Sequence, residues 1–386
     1  MPEARENTPL ALLCANTSWY LYNFRKELVA ALIERGWRVA VAAPDDSHFP
    51  QLRALGAESH TIAMDRASVS PIAVLRTFAS LFSLYRSLRP TCVHHFTIKP
   101  VIIGGIAARI LRIPRVIQAI TGLGLAFARR STLRQAALFG YRLAIGARCI
   151  VVFQNREDQA ELERAGLVDQ RNSVIIRGSG VDLSRFSPIA ARDSEHPVTF
   201  LMACRMLWAK GVREFVDASD QVHQRHPEAR FRLLGASDPG TPDHVPESWL
   251  RAACESRTQL EWVGYAEDVL SNYQAADVAV LPSYREGVPK SLLEGAAVGL
   301  PLLAADVPGC REVVAHGVTG LLVPPRDSEA LADAMAVLVE SAKRRRELGK
   351  AARALVEREF SVEQVVSSTL NCYPAAPGQA ASAIAG

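Results

Sequence analysis

Two cations and two carboxylates are the residues of this chain best placed for chemistry. Arg205 and Lys210 stand where the apolar run 198–203 ends and a helical pattern begins, and open parallel sheets bind their ligands at such strand ends. Arg205 offers a planar fork of donors and Lys210 a mobile point charge. Together they could hold a diphosphate and offset the negative charge that grows on a leaving group, without a metal. Glu286 and Glu294 lie on either side of Gly287 and Pro289, one before the helical run 290–298 and one inside it. At roughly 100° per residue they need not share a helix face, so the spacing suits two hydroxyl-bearing parts of one ligand better than an acid/base dyad. The backbone amides of Gly287 and Val288 would point at the same ligand. Singly, each of the four charges has an ordinary reading as a solvated group or a helix-entry carboxylate; in this order and spacing they read as one site.

The elements that must position them follow from short apolar runs alternating with helical patterns: 10–15, 38–43, 116–121 and 149–153, then 198–203, 231–234 and 278–281. Such alternation predicts parallel sheets with helices on both faces. A chain of 386 residues exceeds what one core usually supports, and the polar segment 191–197 offers a break. The expected organisation is a first Rossmann-like domain over 1–190, a second over 191–361, a last helix over 362–373 and a disordered tail over 374–386 built from small residues. Seven cysteines, an odd number without a C-x-x-C pair, point to a reducing compartment and away from a structural zinc site. No secretory leader is visible, and no uninterrupted apolar stretch reaches the ~18 residues that span a bilayer. The expectation is a cytoplasmic protein whose membrane contact is peripheral.

The pattern E-x7-E downstream of R-x4-K-G resembles family 4 of the glycosyltransferases, retaining enzymes with the GT-B fold. The likeness continues through 178–182, 263–265, 276–283, 306–312 and 317–324, and covers most of the chain from about residue 10 to 360. It implies an α/β GT-B architecture, two Rossmann-like domains facing across a cleft with the C-terminal helix crossing back to the first. It also implies that Arg205 and Lys210 bind the donor diphosphate, that Glu286 contacts the transferred sugar and that Glu294 takes the ribose hydroxyls. Gly264, Tyr265, Gly287, Val288, Pro289, Lys290 and Ser291 would complete the donor site. No Asp-x-Asp motif occurs, no metal or other cofactor is expected, and no side chain stands out as a covalent nucleophile. The expected transfer is therefore a same-face attack in which the leaving phosphate accepts the proton. The sequence departs from the family pattern in places. Where many members carry a glycine-rich turn, residues 16–25 are rich in aromatics, which read either as a loop shaped around an acceptor or as packing groups. Thr121 stands where many relatives have a histidine. Cys204 reads as packing rather than chemistry.

Charge is unevenly distributed. Residues 1–195 carry 25 Lys and Arg against 16 Asp and Glu, whereas 196–386 carry 19 against 24. No acid lies between Asp65 and Glu157, a stretch holding 14 basic residues, and a face lacking acids suits an anionic surface. Val74, Phe78, Leu81, Phe82, Tyr85 and Leu88 lie at helical spacing beside Arg76, Arg86 and Arg89, and a second basic and apolar stretch runs over 127–148. These read either as an interfacial helix pair or as helices packed on the first sheet. No nucleic-acid motif accompanies the charge, so the expected partner is an anionic membrane surface or a lipid diphosphate and not nucleic acid. The segment containing His94, His95 and Lys99, followed by Thr121, Gly122 and Gly124, is similar to family members that extend sugars on polyprenyl diphosphate carriers in bacterial surface-glycan or glycoprotein assembly. On that likeness Lys99 and Arg177 would meet the acceptor diphosphate, and Asn16, Ser18, His95, Thr121 and Gly122 would border the acceptor. The expected function is transfer from a nucleotide-diphosphate sugar, with UDP-hexose or UDP-N-acetylhexosamine favoured by the family, to a polyprenyl-diphosphate-linked saccharide at the inner face of the cytoplasmic membrane. The alternatives are a GT-B enzyme with a soluble acceptor, or a sugar-nucleotide epimerase or hydrolase.

Overall fold

The computed structural model describes residues 8–375 apart from 67, 69, 125–126, 128–131 and 189–195. The expected tail beyond 375 and most of the polar segment 191–197 lie outside the described residues. Two compact units are formed, Met1–Ser179 with Val365–Gly386, and Gly180–Gln364.

In the first unit the order is β1 (Leu10–Cys14), α1 (Ser18–Glu34), β2 (Arg38–Ala43), α2 (Phe49–Ala54), β3 (Glu58–Thr61), α3 (Pro71–Leu88) and β4 (Cys92–Phe96). A π-helical turn (Pro100–Gly104) leads into α4 (Gly105–Ile110), followed by β5 (Arg115–Ile120), α5 (Thr132–Ala144), β6 (Cys149–Phe153), α6 (Arg156–Arg164) and β7 (Ser173–Ile175). The strands pair in parallel in the order β3-β2-β1-β4-β5-β6-β7. Period-two alternation splits β1 between two core layers: Leu10, Leu12 and Cys14 join α3, α4 and α5, while Ala11 and Leu13 join α1. Both faces are covered, so β1 is buried along its whole length. Val365, Leu370, Cys372 and Tyr373 pack into the α1 layer, which is why the end of the chain belongs to this unit. On α3, Leu81 and Tyr85 are buried and Phe78, Phe82 and Leu88 pack against the core. Most of the apolar stripe noted in the sequence is therefore core; its Val74 is exposed, and so are the neighbouring apolar residues Ile72 and Leu75.

The second unit runs β8 (Thr199–Ala203), a 3-10 turn (Trp208–Lys210), α7 (Val212–Arg225), β9 (Arg230–Leu234), α8 (Glu247–Glu255), β10 (Leu260–Gly264), α9 (Leu270–Gln274) and β11 (Val278–Leu281). It continues with α10 (Lys290–Ala297), β12 (Leu302–Ala305), α11 (Pro308–Arg311), β13 (Gly320–Val323), α12 (Ser328–Glu340), α13 (Ala342–Glu359) and the start of α14 (Val362–Leu370). Its sheet is parallel in the order β10-β9-β8-β11-β12-β13. The division falls between Ser179 and Gly180 rather than at 190/191. The reason is local: Val181 donates to Phe360 O at 2.9 Å and accepts from Val362 N at 3.1 Å, and Val181 and Phe186 are buried in this unit's core. Among the described residues no helix is long and apolar enough to cross a membrane.

Candidate active site

Strand order reverses between β8 and β11 in the second unit, and ligand crevices of open α/β sheets form at such points. The segments carrying the four charges leave from these two strands. After β8, Cys204 N–H donates to Leu234 O and Met206 N–H to Ala236 O, both at 2.9 Å, and the chain tightens into the 3-10 turn. The turn ends at Gly211, whose φ is 81°. A Cβ there would stand 2.2 Å from Pro282 O, so only glycine lets the two segments approach this closely. Tyr284 N–H then donates to Ala209 O at 2.9 Å.

That approach delivers Lys210 Nζ to Glu286 Oε1 at 2.5 Å, with side chains 23% and 10% exposed. Arg205 Nη1 donates to Asp238 Oδ2 at 3.0 Å, and the same oxygen accepts from Thr241 Oγ1 at 2.9 Å. Lys210 is largely enclosed, whereas Arg205, 48% exposed, is held at the surface by Asp238. Cys204 is electrostatically close to Lys210, Glu286 and Arg205; burial pushes its thiol up to about 12, so it remains a neutral packing group. Glu294 lies one turn into α10, with Lys290 Nζ at 4.0 Å. Burial raises its carboxyl above the usual range even though Lys290 and Tyr273 favour the ionised form. Gly287 is held from behind by Gly309, where a Cβ would be 1.5 Å from Gly287 O. Pro289 enters α10 in extended conformation with no side-chain cap, placing a helix N-terminus beside Lys290 and Ser291. Gly264, at φ 78°, accepts from Gly235 N–H at 2.8 Å, and Tyr265 is 61% exposed. They end β10, two strands away from β8, on the same sheet edge.

Several residues of this constellation were missed from sequence. Asp238 holds Arg205. Asp243 holds the 3-10 turn, accepting Ala209 N–H on its carboxylate at 2.8 Å and Trp208 N–H on its backbone oxygen at 2.9 Å. Both lie in the loop after β9, where a polar segment following an apolar run was the available signal. Gly309 and the fully buried Ser283, whose hydroxyl has no partner, belong to stretches noted only for their likeness.

In the first unit the expected acceptor residues scatter. Ser18 is buried at the start of α1; its N–H donates to Asp46 Oδ2 at 2.7 Å and its hydroxyl accepts from His48 N–H at 3.2 Å. A protein carboxylate thus occupies the helix entry beside Asn16, which explains how this turn manages without a glycine-rich phosphate loop. Trp19 and Tyr20 pack against Phe24. His95 is fully buried, with Nε2 2.7 Å from Tyr85 Oη and Nδ1 3.2 Å from Gln118 Oε1. Burial lowers its pKa to about 3, and with both ring nitrogens partnered it reads as a satisfied core histidine. Lys99 Nζ donates to the backbone oxygens of Asp65 and Ser68 at 2.5 and 2.6 Å, pinning that loop. Thr97, just before it, has φ 67° and a buried hydroxyl without a partner. Thr121 and Gly178 line a small pocket with Arg25 and His94; Gly122 has φ 123°, and Arg177 is half-buried beyond β7.

Residues 11–155 match the family described as glycosyl transferase 4-like, and residues 197–341 the family described as glycosyl transferases group 1. The chain is similar to the N,N'-diacetylbacillosaminyl-diphospho-undecaprenol alpha-1,3-N-acetylgalactosaminyltransferase of Campylobacter jejuni, 27% identical over 86% of this chain and 89% of that protein. It is also similar to the UDP-Gal:alpha-D-GlcNAc-diphosphoundecaprenol alpha-1,3-galactosyltransferase of Escherichia coli, 25% identical over 78% and 80%. Anabaena HepE, solved in complex with UDP and glucose, superposes with a TM-score of 0.76 over 94% of this chain and 98% of that one, at 17% identity. That last likeness is one of fold.

Proposed function

The chain belongs to the family 4 glycosyltransferases of GT-B type, and on that footing we propose that it moves a hexose or N-acetylhexosamine from a nucleotide diphosphate to a saccharide carried on polyprenyl diphosphate. The observation that carries the reading is the meeting of Lys210 with Glu286, and of Arg205 with its supporting Asp238, at the point of strand-order reversal. A donor diphosphate there gains a guanidinium fork and an ammonium, and both strengthen as charge develops on the departing phosphate. Glu286 accepts from a hydroxyl of the transferred sugar, and Glu294 from the ribose. As the bond from the anomeric carbon to the diphosphate oxygen breaks, the acceptor oxygen bonds to the same face of that carbon and its proton passes to the leaving phosphate. No side chain is then needed as base or nucleophile.

The lipid-linked acceptor draws support from the two relatives named for diphosphoundecaprenol substrates and from the surface of the first unit. Helices α3, α4 and α5 cover one core layer. Their outer sides expose Ile72 (68%), Leu75 (66%), Leu133 (59%) and Phe139 (64%), all within the acid-free stretch 66–156. Apolar side chains beside arginines in a stretch that carries no acid of its own suit the headgroup region of an anionic bilayer, which supports a peripheral position on the inner face of the cytoplasmic membrane.

Purified protein incubated without added metal with a panel of nucleotide sugars and polyprenyl-diphosphate-linked saccharides tests the reading, with nucleotide release and lipid-product mass followed together. Acceptor-dependent gain of one sugar is expected. Nucleotide release with no glycolipid would replace it with a soluble acceptor or donor hydrolysis.

A further inference from the structure

We propose that Arg25 and His94 form a buried site for a phosphate-class oxyanion in the first unit, placed to receive the acceptor's diphosphate. Arg25 projects from the third turn of α1 and is only 6% exposed. Its guanidinium carbon lies 4.6 Å from the Phe96 ring centroid and 5.7 Å from that of Tyr20, and one Nη donates to Tyr20 Oη at 3.1 Å. Its Nε is buried without a partner, and no carboxylate among the described residues pairs with it. His94 is 1% exposed; Nδ1 stands 2.8 Å from Tyr373 Oη, and Nε2 has no partner.

Both side chains line one small pocket with Thr121, Gln154 and Gly178. Its walls come from the C-terminal ends of β4, β5 and β6, the sheet edge at which parallel α/β folds take ligands. Burying a cation with no acid beside it is costly, and a buried donor without an acceptor adds to that cost. A tetrahedral oxyanion removes both costs, because a guanidinium presents several parallel donors that match it. An oxyanion in the pocket selects the His94 tautomer with its hydrogen on Nε2, in which Nδ1 accepts from Tyr373 Oη and Nε2 adds a further donor. Burial and the neighbouring Arg25 keep the ring neutral, so the charge of the site comes from Arg25.

Assigning the oxyanion to the acceptor rests on the lipid-linked reading above; the pocket's affinity for an oxyanion does not. The first experiment is calorimetric titration of pyrophosphate into an Arg205→Ala/Lys210→Ala protein, which lacks the donor-side cations. One remaining site is expected, weakened at least tenfold by adding either Arg25→Gln or His94→Gln, with thermal melting confirming that each variant is folded. Unchanged pyrophosphate affinity in a folded variant overturns the site. The source is decided in the otherwise native enzyme. An acceptor KM raised at least fivefold by Arg25→Gln, with donor KM unchanged, assigns the oxyanion to the lipid diphosphate. Loss of pyrophosphate binding with acceptor KM unchanged assigns it to free phosphate or pyrophosphate and overturns the acceptor role. If no lipid-linked saccharide is a substrate, the functional reading fails while the titration still decides the pocket.

Discussion

In the proposed reaction Glu286 and the donor diphosphate compete for the Lys210 ammonium, because Glu286 already accepts from it at 2.5 Å. Donor binding must therefore share or loosen that pair. Hydrogen bonds to charged groups contribute about 1.5–3 kcal/mol each, so Arg205→Ala or Lys210→Ala should each lower turnover at least tenfold in a nucleotide-release assay. Normal turnover in both would remove them from the site. Asp238→Ala leaves Arg205 in place but untethered, and should raise donor KM about three- to tenfold with a smaller effect on kcat. Glu294 gives a prediction with a pH sign. Its folded pKa is raised by burial, so the protonated form is favoured in the fold and the associated stability is present below the ordinary glutamate value near ~4.3, then lost as pH rises through the raised value. Glu294→Gln should match or exceed the parent's melting temperature at pH 8, with the difference closing toward pH 4.5, while weakening donor binding. A variant that melts lower at pH 8 would show that the carboxylate is net stabilising.

At the scale of elements, the loops after β8 and β11 are set by two glycines that tolerate no side chain: Gly211 against Pro282 and Gly309 against Gly287. Gly309→Ala must push the 286–289 loop off α11, and should cost at least tenfold in donor affinity while the circular dichroism of the folded protein is retained. On the first unit, α5 presents Phe139 and Leu143 outward while burying Ala137 and Tyr141, so Phe139→Glu changes only the outer face. It should reduce sedimentation with anionic liposomes several-fold, and the parent's binding should fall as salt rises; salt-independent or unaltered binding would separate this face from the membrane. The sequence made β1, β2, β6 and β11 legible because their runs are continuously apolar. It hid β4, whose Cys92–Phe96 run contains two histidines, because the polar rings are paid for by partners far along the chain, Gln118 on β5 and Tyr373 near the end. The edge strand β3 (Glu58–Thr61) was hidden for a simpler reason: it carries no apolar side chain and none of its residues is fully buried.

For the whole molecule, buried histidines tie acid stability to the fold of the first unit. His95 is lowered to about 3 and His94 well below its ordinary value, both mainly by burial. Unfolded histidine titrates near ~6.5, so their contribution is complete above that pH and is lost as pH falls toward about 3. The first unit should therefore lose stability over that window, and His95→Gln should flatten the loss when melting is followed from pH 7 to pH 4; an unchanged slope would place the acid sensitivity elsewhere. The sequence by itself determined the α/β class and the family, and singled out Arg205, Lys210, Glu286 and Glu294 as candidates, since local period and short-range spacing are written in consecutive residues; the structure brings Lys210 to Glu286. Only the tertiary structure decided that Asp238 supports Arg205, that the α3 stripe is core while Ile72 and Leu75 are surface, that His95 is satisfied internally, and that Arg25 and His94 share a pocket. Each of these depends on contacts between residues distant in the chain, and a hydrogen-bond partner or a neighbouring ring leaves no periodic trace in the sequence around the residue it satisfies.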